Sequence, residues 1–486
     1  MHGRTAHLAI GLTAIACLLP AGARGQDYLA SDSTAVVVPS PGMPSDAIAG
    51  QFVSATEVAP GDATARMAAM EKVIQELVAD KKKAEEKAAA DKKKAAGQPT
   101  YKLRGRTYVD WASFSQDNTN RTVYGNARDG VGFRTARLGL EGEMFNVFSY
   151  CTEIDFVASI TNPESSAVIG DGVAFKEVWM GVSELPLLQN ARVGHFKEPF
   201  SLEELTSSRF ITFMERSMIN QAVVPAYDLG GMVFGANESK SLLWQTGVFQ
   251  NDLADNFVSR TSDNLATAWT SRLVWLPWYD ECTDGRGLLH FAGSYSYRDA
   301  YGNAHNFRAQ PSARFGAPYV VSAGTPTLDD YQLAGAEAAF VRGPFSVQSE
   351  FINATLDNPA VAGDQKIWGF YFMVSYFLTG ENRGYKRDLG RFDRVKPFEN
   401  FFRVSAEDNC IYTGKGAWEL AYRYDYIDMT NVSASAGLAS NHTLGVNWYL
   451  SPYNRIMWDY VHCEPEKNGA DAGSLDAAMM RFQVDF

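Results

Sequence analysis

Residues 477–486 alternate without a break. Ala478, Met480, Phe482, Val484 and Phe486 share one parity, and Ala477, Met479, Arg481, Gln483 and Asp485 share the other. Successive side chains of a strand point to opposite sides, so this stretch builds a strand with one oily face and one wetter face. A single strand of this kind fits the edge of a soluble sheet as well as a wall between lipid and water. Repetition separates the two. Tyr101, Leu103, Val109 and Trp111 alternate with Lys102, Arg104, Arg106 and Asp110. Trp368, Phe370, Phe372, Val374, Tyr376 and Leu378 alternate with smaller partners, and Trp418, Leu420, Tyr422, Tyr424 and Tyr426 with Glu419, Ala421, Arg423 and Asp425. Aromatic faces opposite charged faces, repeated along the whole region, favour lipid outside and water inside.

Connection lengths agree. Short links fall near 145–146, 185–189, 238–240, 342–344 and 451–453, and long polar links near 199–228, 299–330 and 464–476. Short turns at one end and long loops at the other are the pattern of a membrane barrel. The fold class read from residues 101–486 is therefore an all-β transmembrane barrel of 16 antiparallel strands. One stretch resists the scheme: residues 379–416 fall where a short turn belongs, and 400–406 could be a further strand. An even strand count requires an elaborated turn there.

Three segments precede the barrel. Residues 1–25 read as an export signal, with Arg4 in a polar start, an apolar run from Leu8 to Pro20 and a small-x-small site at Ala23-Arg24-Gly25. Beyond this run no apolar stretch is long enough for a membrane helix. Residues 26–62 are rich in Ala, Ser, Pro and Val without periodicity, the composition of a disordered linker. Residues 63–96 turn to Ala, Lys and Glu and predict a short N-terminal helix or coiled coil on the periplasmic side. Met67, Met70, Ile74 and Leu77 mark a heptad seam of barely two repeats, too little to associate alone but enough to zip if the barrel already oligomerises. The lysine runs 81–83 and 92–94 suit either a solvated helix face or contact with peptidoglycan.

Catalytic and metal chemistry find little footing. Cys151, Cys282, Cys410 and Cys463 follow the signal, none in a CxxC pair, and the histidines are scattered, so no metal site and no cofactor is expected. A Cys282–Cys410 pair would brace the long 379–416 connection. His195, His290, His305, His442 and His462 sit in no recognisable catalytic motif, and a barrel hydrolase is set aside on that ground. Nothing points to nucleic acid.

The motif FKEPFSLEELTSSRFITFMERS (196–217), with YFLTGENRGYKRDLGRFDRVKP (376–397), FRTARLGLEGEMF (133–145) and the ending RFQVDF (481–486), resembles the phosphate-selective porin O and P family. The resemblance implies homotrimers of sixteen-stranded barrels in outer-membrane lipid, with a third loop folded inward to narrow each pore. Residues 199–228 would be that loop, and Ser201, Glu203, Glu204 and Glu215 belong to it. Ser201 and Glu204 make a capping box that starts a short helix at Leu202. Anion preference in the family comes from basic residues lining the lumen. The candidates here are Lys102, Arg104 and Arg106 on one strand face, Arg134 and Arg137, and Lys197, Arg209 and Arg216 around the loop. Arg134 and Arg137 differ in parity, so only a bulge turns both inward. Glu204 stands where phosphate-selective members carry a loop lysine.

Net charge cuts across this picture. The chain holds 44 basic and 56 acidic residues, the first hundred residues 11 of each, so the barrel region is acidic overall. A local ring of basic groups nevertheless decides ion choice more than total charge does. The functional reading is an outer-membrane porin for passive diffusion of small anions such as phosphate or polyphosphate. The alternative is a tether between outer membrane and cell wall, with the pore secondary.

Overall fold

The computed structural model describes residues 98–157, 174–251, 266–314, 316–405 and 411–486. The export signal, the linker and the heptad segment lie outside them, as does Cys410; Cys282 carries an exposed thiol. Sixteen strands form the wall: β1 Lys102–Gln116, β2 Gly130–Met144, β3 Phe148–Asp155, β4 Ala174–Leu185, β5 Gln189–Lys197, β6 Tyr227–Ala236, β7 Leu242–Gln250 and β8 Thr267–Tyr279 make its first half. The second half is β9 Gly287–Ala304, β10 Thr327–Arg342, β11 Phe345–Asp357, β12 Gln365–Phe377, β13 Ala417–Asp428, β14 Leu438–Ser451, β15 Asn454–Lys467 and β16 Leu475–Asp485. Each pairs antiparallel with its neighbour in sequence.

β16 also pairs with β1, from Arg106↔Asp485 to Gln116↔Leu475, so the sheet closes and has no free edge. Phe486 completes the seam: its N–H donates to the Gly105 carbonyl at 3.1 Å and its carbonyl accepts the Gly105 N–H at 2.9 Å. A Cβ on residue 105 would lie 2.5 Å from the Phe486 ring, so only glycine leaves room for the closing aromatic.

Alternation holds as expected. On β16 and the residue after it, Phe482, Val484 and Phe486 are 50%, 53% and 47% exposed, while Arg481, Gln483 and Asp485 are 1%, 3% and 2% exposed. Both ends of the barrel region lie at the end with the short turns, and the long loops occupy the other. Two loops are shorter than the sequence suggests. β9 extends to Ala304 and β10 begins at Thr327, and β15 runs to Lys467, because polar residues continue the ladder beyond the apolar band.

The connection 378–416 is an elaborated turn, not a seventeenth wall strand. It carries two small hairpins, Gly384–Lys386 with Arg391–Asp393 and Phe402–Ser405 with Ile411–Gly414, each a separate sheet. The first enters the barrel, where Tyr385 and Phe392 pack with Leu202, Val274 and Val341. Gly390, at its tip, adopts the left-handed conformation (φ 59°), and its carbonyl accepts from Arg272 Nη2 at 3.0 Å.

Loops 198–226 and 305–326 enter from the opposite end. A short helix in the former, Met218–Val223, packs with Phe307 and Val320 against Leu333, Ile352, Ile367 and Met457 of the wall. The inward face is therefore not uniformly polar. It carries apolar patches beneath the folded-in segments as well as charged groups.

Candidate functional site

The loop 198–226 has no strand partner, so its buried backbone groups need other partners. The wall supplies them. Glu350 of β11 accepts from the N–H groups of Leu202 (3.1 Å) and Glu203 (2.7 Å). Asp425 of β13 accepts from Met218 N–H at 3.0 Å, and Asp459 of β15 from Met214 N–H at 2.7 Å. Cations grip the carbonyls: Arg423 donates to Glu215 O (3.0 Å), Arg455 to Ile211 O (2.9 Å) and Arg481 to Met214 O (2.6 Å). Asn447 and Gln483 add Thr212 O and Arg209 O at 2.8 and 3.0 Å. Strands β11 and β13 to β16 thus hold the loop by both acceptors and donors.

The helix Leu202–Leu205 starts where expected, with Ser201 Oγ accepting from Glu204 N–H at 3.2 Å. Glu204 reaches Lys197 at 2.7 Å and Arg216 at 3.0 Å, balancing two of the candidate cations. Glu203 accepts from Ser217 Oγ (2.7 Å) and from Arg423 (3.1 Å); burial pushes its carboxyl up despite these partners. Glu215 is gripped by Arg134 at 2.7 Å and Arg481 at 3.0 Å. Burial alone would raise its pKa, but Arg134 and Arg481 overcome that and hold it at about 2.

The candidate basic residues divide into two sets. Arg106 is spent on a two-pronged bond to Glu153 (2.8 and 2.9 Å) and on Ser208 (2.8 Å). The β1–β2 register slips between Tyr108 and Val109, skipping Arg134, and this bulge turns Arg134 and Arg137 both inward. Arg134 meets Glu215 and Arg137 meets Asp155 at 2.8 Å, so each is paired. Arg216 faces Glu204 and three loop carbonyls. The other four, Lys102, Arg104, Lys197 and Arg209, border a cavity of about 730 Å³.

That cavity is enclosed by β1 to β7, the loop tip 205–210 and the inserted hairpin. Nine basic residues line it against four acidic ones, Glu141, Glu143, Glu177 and Asp393. The sequence reading missed five of the nine: Arg192, Lys386, Arg391, Arg394 and Lys396. Four of these lie in the stretch 386–396, whose density of cations is visible in the sequence. What hides their role is that a connection between strands ordinarily stays outside the wall. Arg192 had only its parity with Phe196 to mark it. Arg391 Nη1 donates to Leu205 O at 3.1 Å, so the hairpin and the loop meet inside the barrel. Burial lowers the Arg391 pKa; for Arg209, burial and then Arg106 and Arg104 do the same.

A closed membrane wall, a loop strapped across its interior and a charged cavity left beside that loop define a porin. The chain belongs to the phosphate-selective porin O and P family, whose model matches residues 101–486. It is 28% identical over 432 residues to Porin O of Pseudomonas aeruginosa, covering 80% of this chain and 88% of that protein. An uncharacterized protein of Caulobacter vibrioides is 24% identical over 410 residues, 80% of this chain and 75% of its own. Among solved structures, an anion-selective porin from Comamonas acidovorans aligns at 13% identity and TM-score 0.47, over 80% of this chain and all 100% of that one. The outer membrane channel DcaP of Acinetobacter baumannii aligns at 12% identity and TM-score 0.45, over 80% and 97%.

Proposed function

We propose that the protein is a passive outer-membrane channel for small anions, phosphate among them, constricted by the loop 198–226 and the hairpin 384–393. One observation carries the reading. The cavity is lined by nine basic and four acidic residues in a barrel region that is acidic overall. Cations in a confined space are weakly screened, whereas charges farther than a Debye length, about 8 Å at physiological salt, contribute little. The short-turn end, with the segment before residue 101, faces the periplasm. In a potassium chloride gradient across a planar bilayer, the reversal potential should favour chloride. Replacing Arg209 and Arg216 together by Glu should weaken or invert that preference. A cation-selective wild type would overturn the proposal. Glu204→Lys should add a phosphate-sensitive block of chloride current, since that side chain now balances Lys197 and Arg216.

The channel is further proposed to be a homotrimer. Trp269, Trp275, Trp278, Trp368, Trp418, Trp448 and Trp458 lie on β8 and β12 to β15, while among the described residues β2 to β6 carry no outward tryptophan. Tryptophan anchors suit a lipid interface, so the face without them, with Val131, Leu138, Leu140, Met180 and Val193 exposed, suits subunit contact. Crosslinking through a cysteine at Val193 tests this. For the lysine-rich segment 63–96, peptidoglycan binding is the second proposal; deleting it should abolish co-sedimentation of the full protein with the cell wall.

A further inference from the structure

Most inward arginines are neutralised by carboxylates, as with Arg106 and Glu153 or Arg481 and Asp110. Three that border the cavity are not. Among the described residues, Arg192, Arg209 and Arg391 have no carboxylate within salt-bridge distance, and Arg192 Nε is buried without a hydrogen-bond partner. Two of the three are held by aromatic rings instead. The Arg192 guanidinium lies 3.9 Å from the centre of the Trp179 ring and 5.5 Å from that of Phe234. Arg209 lies 5.4 Å from Phe210, which also receives Arg394 at 5.0 Å. A ring fixes a cation through its quadrupole without cancelling its charge, so the charge stays available to a passing anion.

Trp179, Phe210 and Phe234 themselves border the cavity and are half-buried, offering apolar area beside the free guanidinium groups. Glu177 sits in the same cluster, its carboxylate accepting from Trp179 Nε1 at 3.1 Å. We infer that this cavity selects organic anions with a flat apolar face, aromatic carboxylates being the type. Their carboxylate meets Arg192 and Arg391, and their ring lies on Trp179 or Phe210. Arg391 and Arg192 line the same cavity. The inference rests on the anion-channel reading above and narrows its substrate class.

The test is single-channel chloride current through the full protein in planar bilayers, with benzoate, acetate or inorganic phosphate added. Benzoate should block at roughly ten-fold lower concentration than acetate, the size expected of one ring stacked beside a guanidinium. Phe210→Leu and Trp179→Leu should erase the difference between benzoate and acetate, whereas Phe210→Tyr and Trp179→Phe, which keep a ring there, should retain it. Arg192→Gln should weaken block by every carboxylate. Equal block by benzoate and acetate, or tightest block by phosphate, would overturn the inference while the anion channel stands. Loss of chloride preference in the wild type would instead remove the channel reading on which it rests.

Discussion

The two sides of the lumen use the same residue types to opposite ends. On β11 to β16, Glu350, Asp425, Asp459, Arg423, Arg455 and Arg481 are buried and bonded to the backbone of the loop 198–226. On β1 to β7 the loop touches the wall at fewer points, through Arg106, Arg134 and Lys197, and Lys102, Arg104, Arg192 and Lys197 border a cavity. Charge on the first side holds structure; charge on the second side is available to solutes. The difference lies in what covers each group, because a buried charge must be paired and a cavity-facing one need not be.

Breaking the bonded side should have the largest consequence. Arg481→Ala leaves Asp110 without its cation and Glu215 with Arg134 alone, and removing one member of a buried pair costs about 3–5 kcal/mol. The temperature at which the folded band converts to the unfolded one on a gel should drop sharply, and an unchanged temperature would mean the pair is idle. Glu350→Ala should come next. It leaves two loop N–H groups unpaired at roughly 1–3 kcal/mol each, so the open current should become larger and noisier. A quiet, wild-type conductance would show that the helix Leu202–Leu205 holds without it.

Acid gives a graded version of the same contrast. The Glu215 pKa is depressed from 4.5 to about 2, so its tether is fully present above pH 4.5 and is lost as pH falls through about 2. Current noise should rise across that window, and Glu215→Gln should bring the noise to neutral pH. Noise that sets in only above pH 4.5 would assign the effect to another group. The smallest effect is expected at an exposed pair. Lys240 and Asp388 meet at 2.5 Å but are about half exposed, and such a surface pair contributes ~0–1 kcal/mol. Asp388→Asn should leave both gel shift and conductance unchanged.

Much of this was legible in order along the chain. The outward set on β16, the sixteen strands and the folded-in loop follow from parity, turn spacing and the motif 196–217. The bulge at Arg134 was readable as a condition, since two arginines three apart cannot both face inward on a regular strand. The interior was not legible in the same way. The capping box placed the helix at Leu202, yet only half of it forms, because Glu204 turns to Lys197 and Arg216 and Glu350 takes the helix N-terminus instead.

The wall, then, was determined by the sequence itself. Side-chain alternation is a local property of each strand, and lipid outside leaves one acceptable facing for it. Which charges remain free was decided only by the tertiary structure. Arg481 meets Asp110 across 371 positions, and Arg391 meets Leu205 across 186, so whether a cation is neutralised or left facing the cavity depends on which distant segment folds against it.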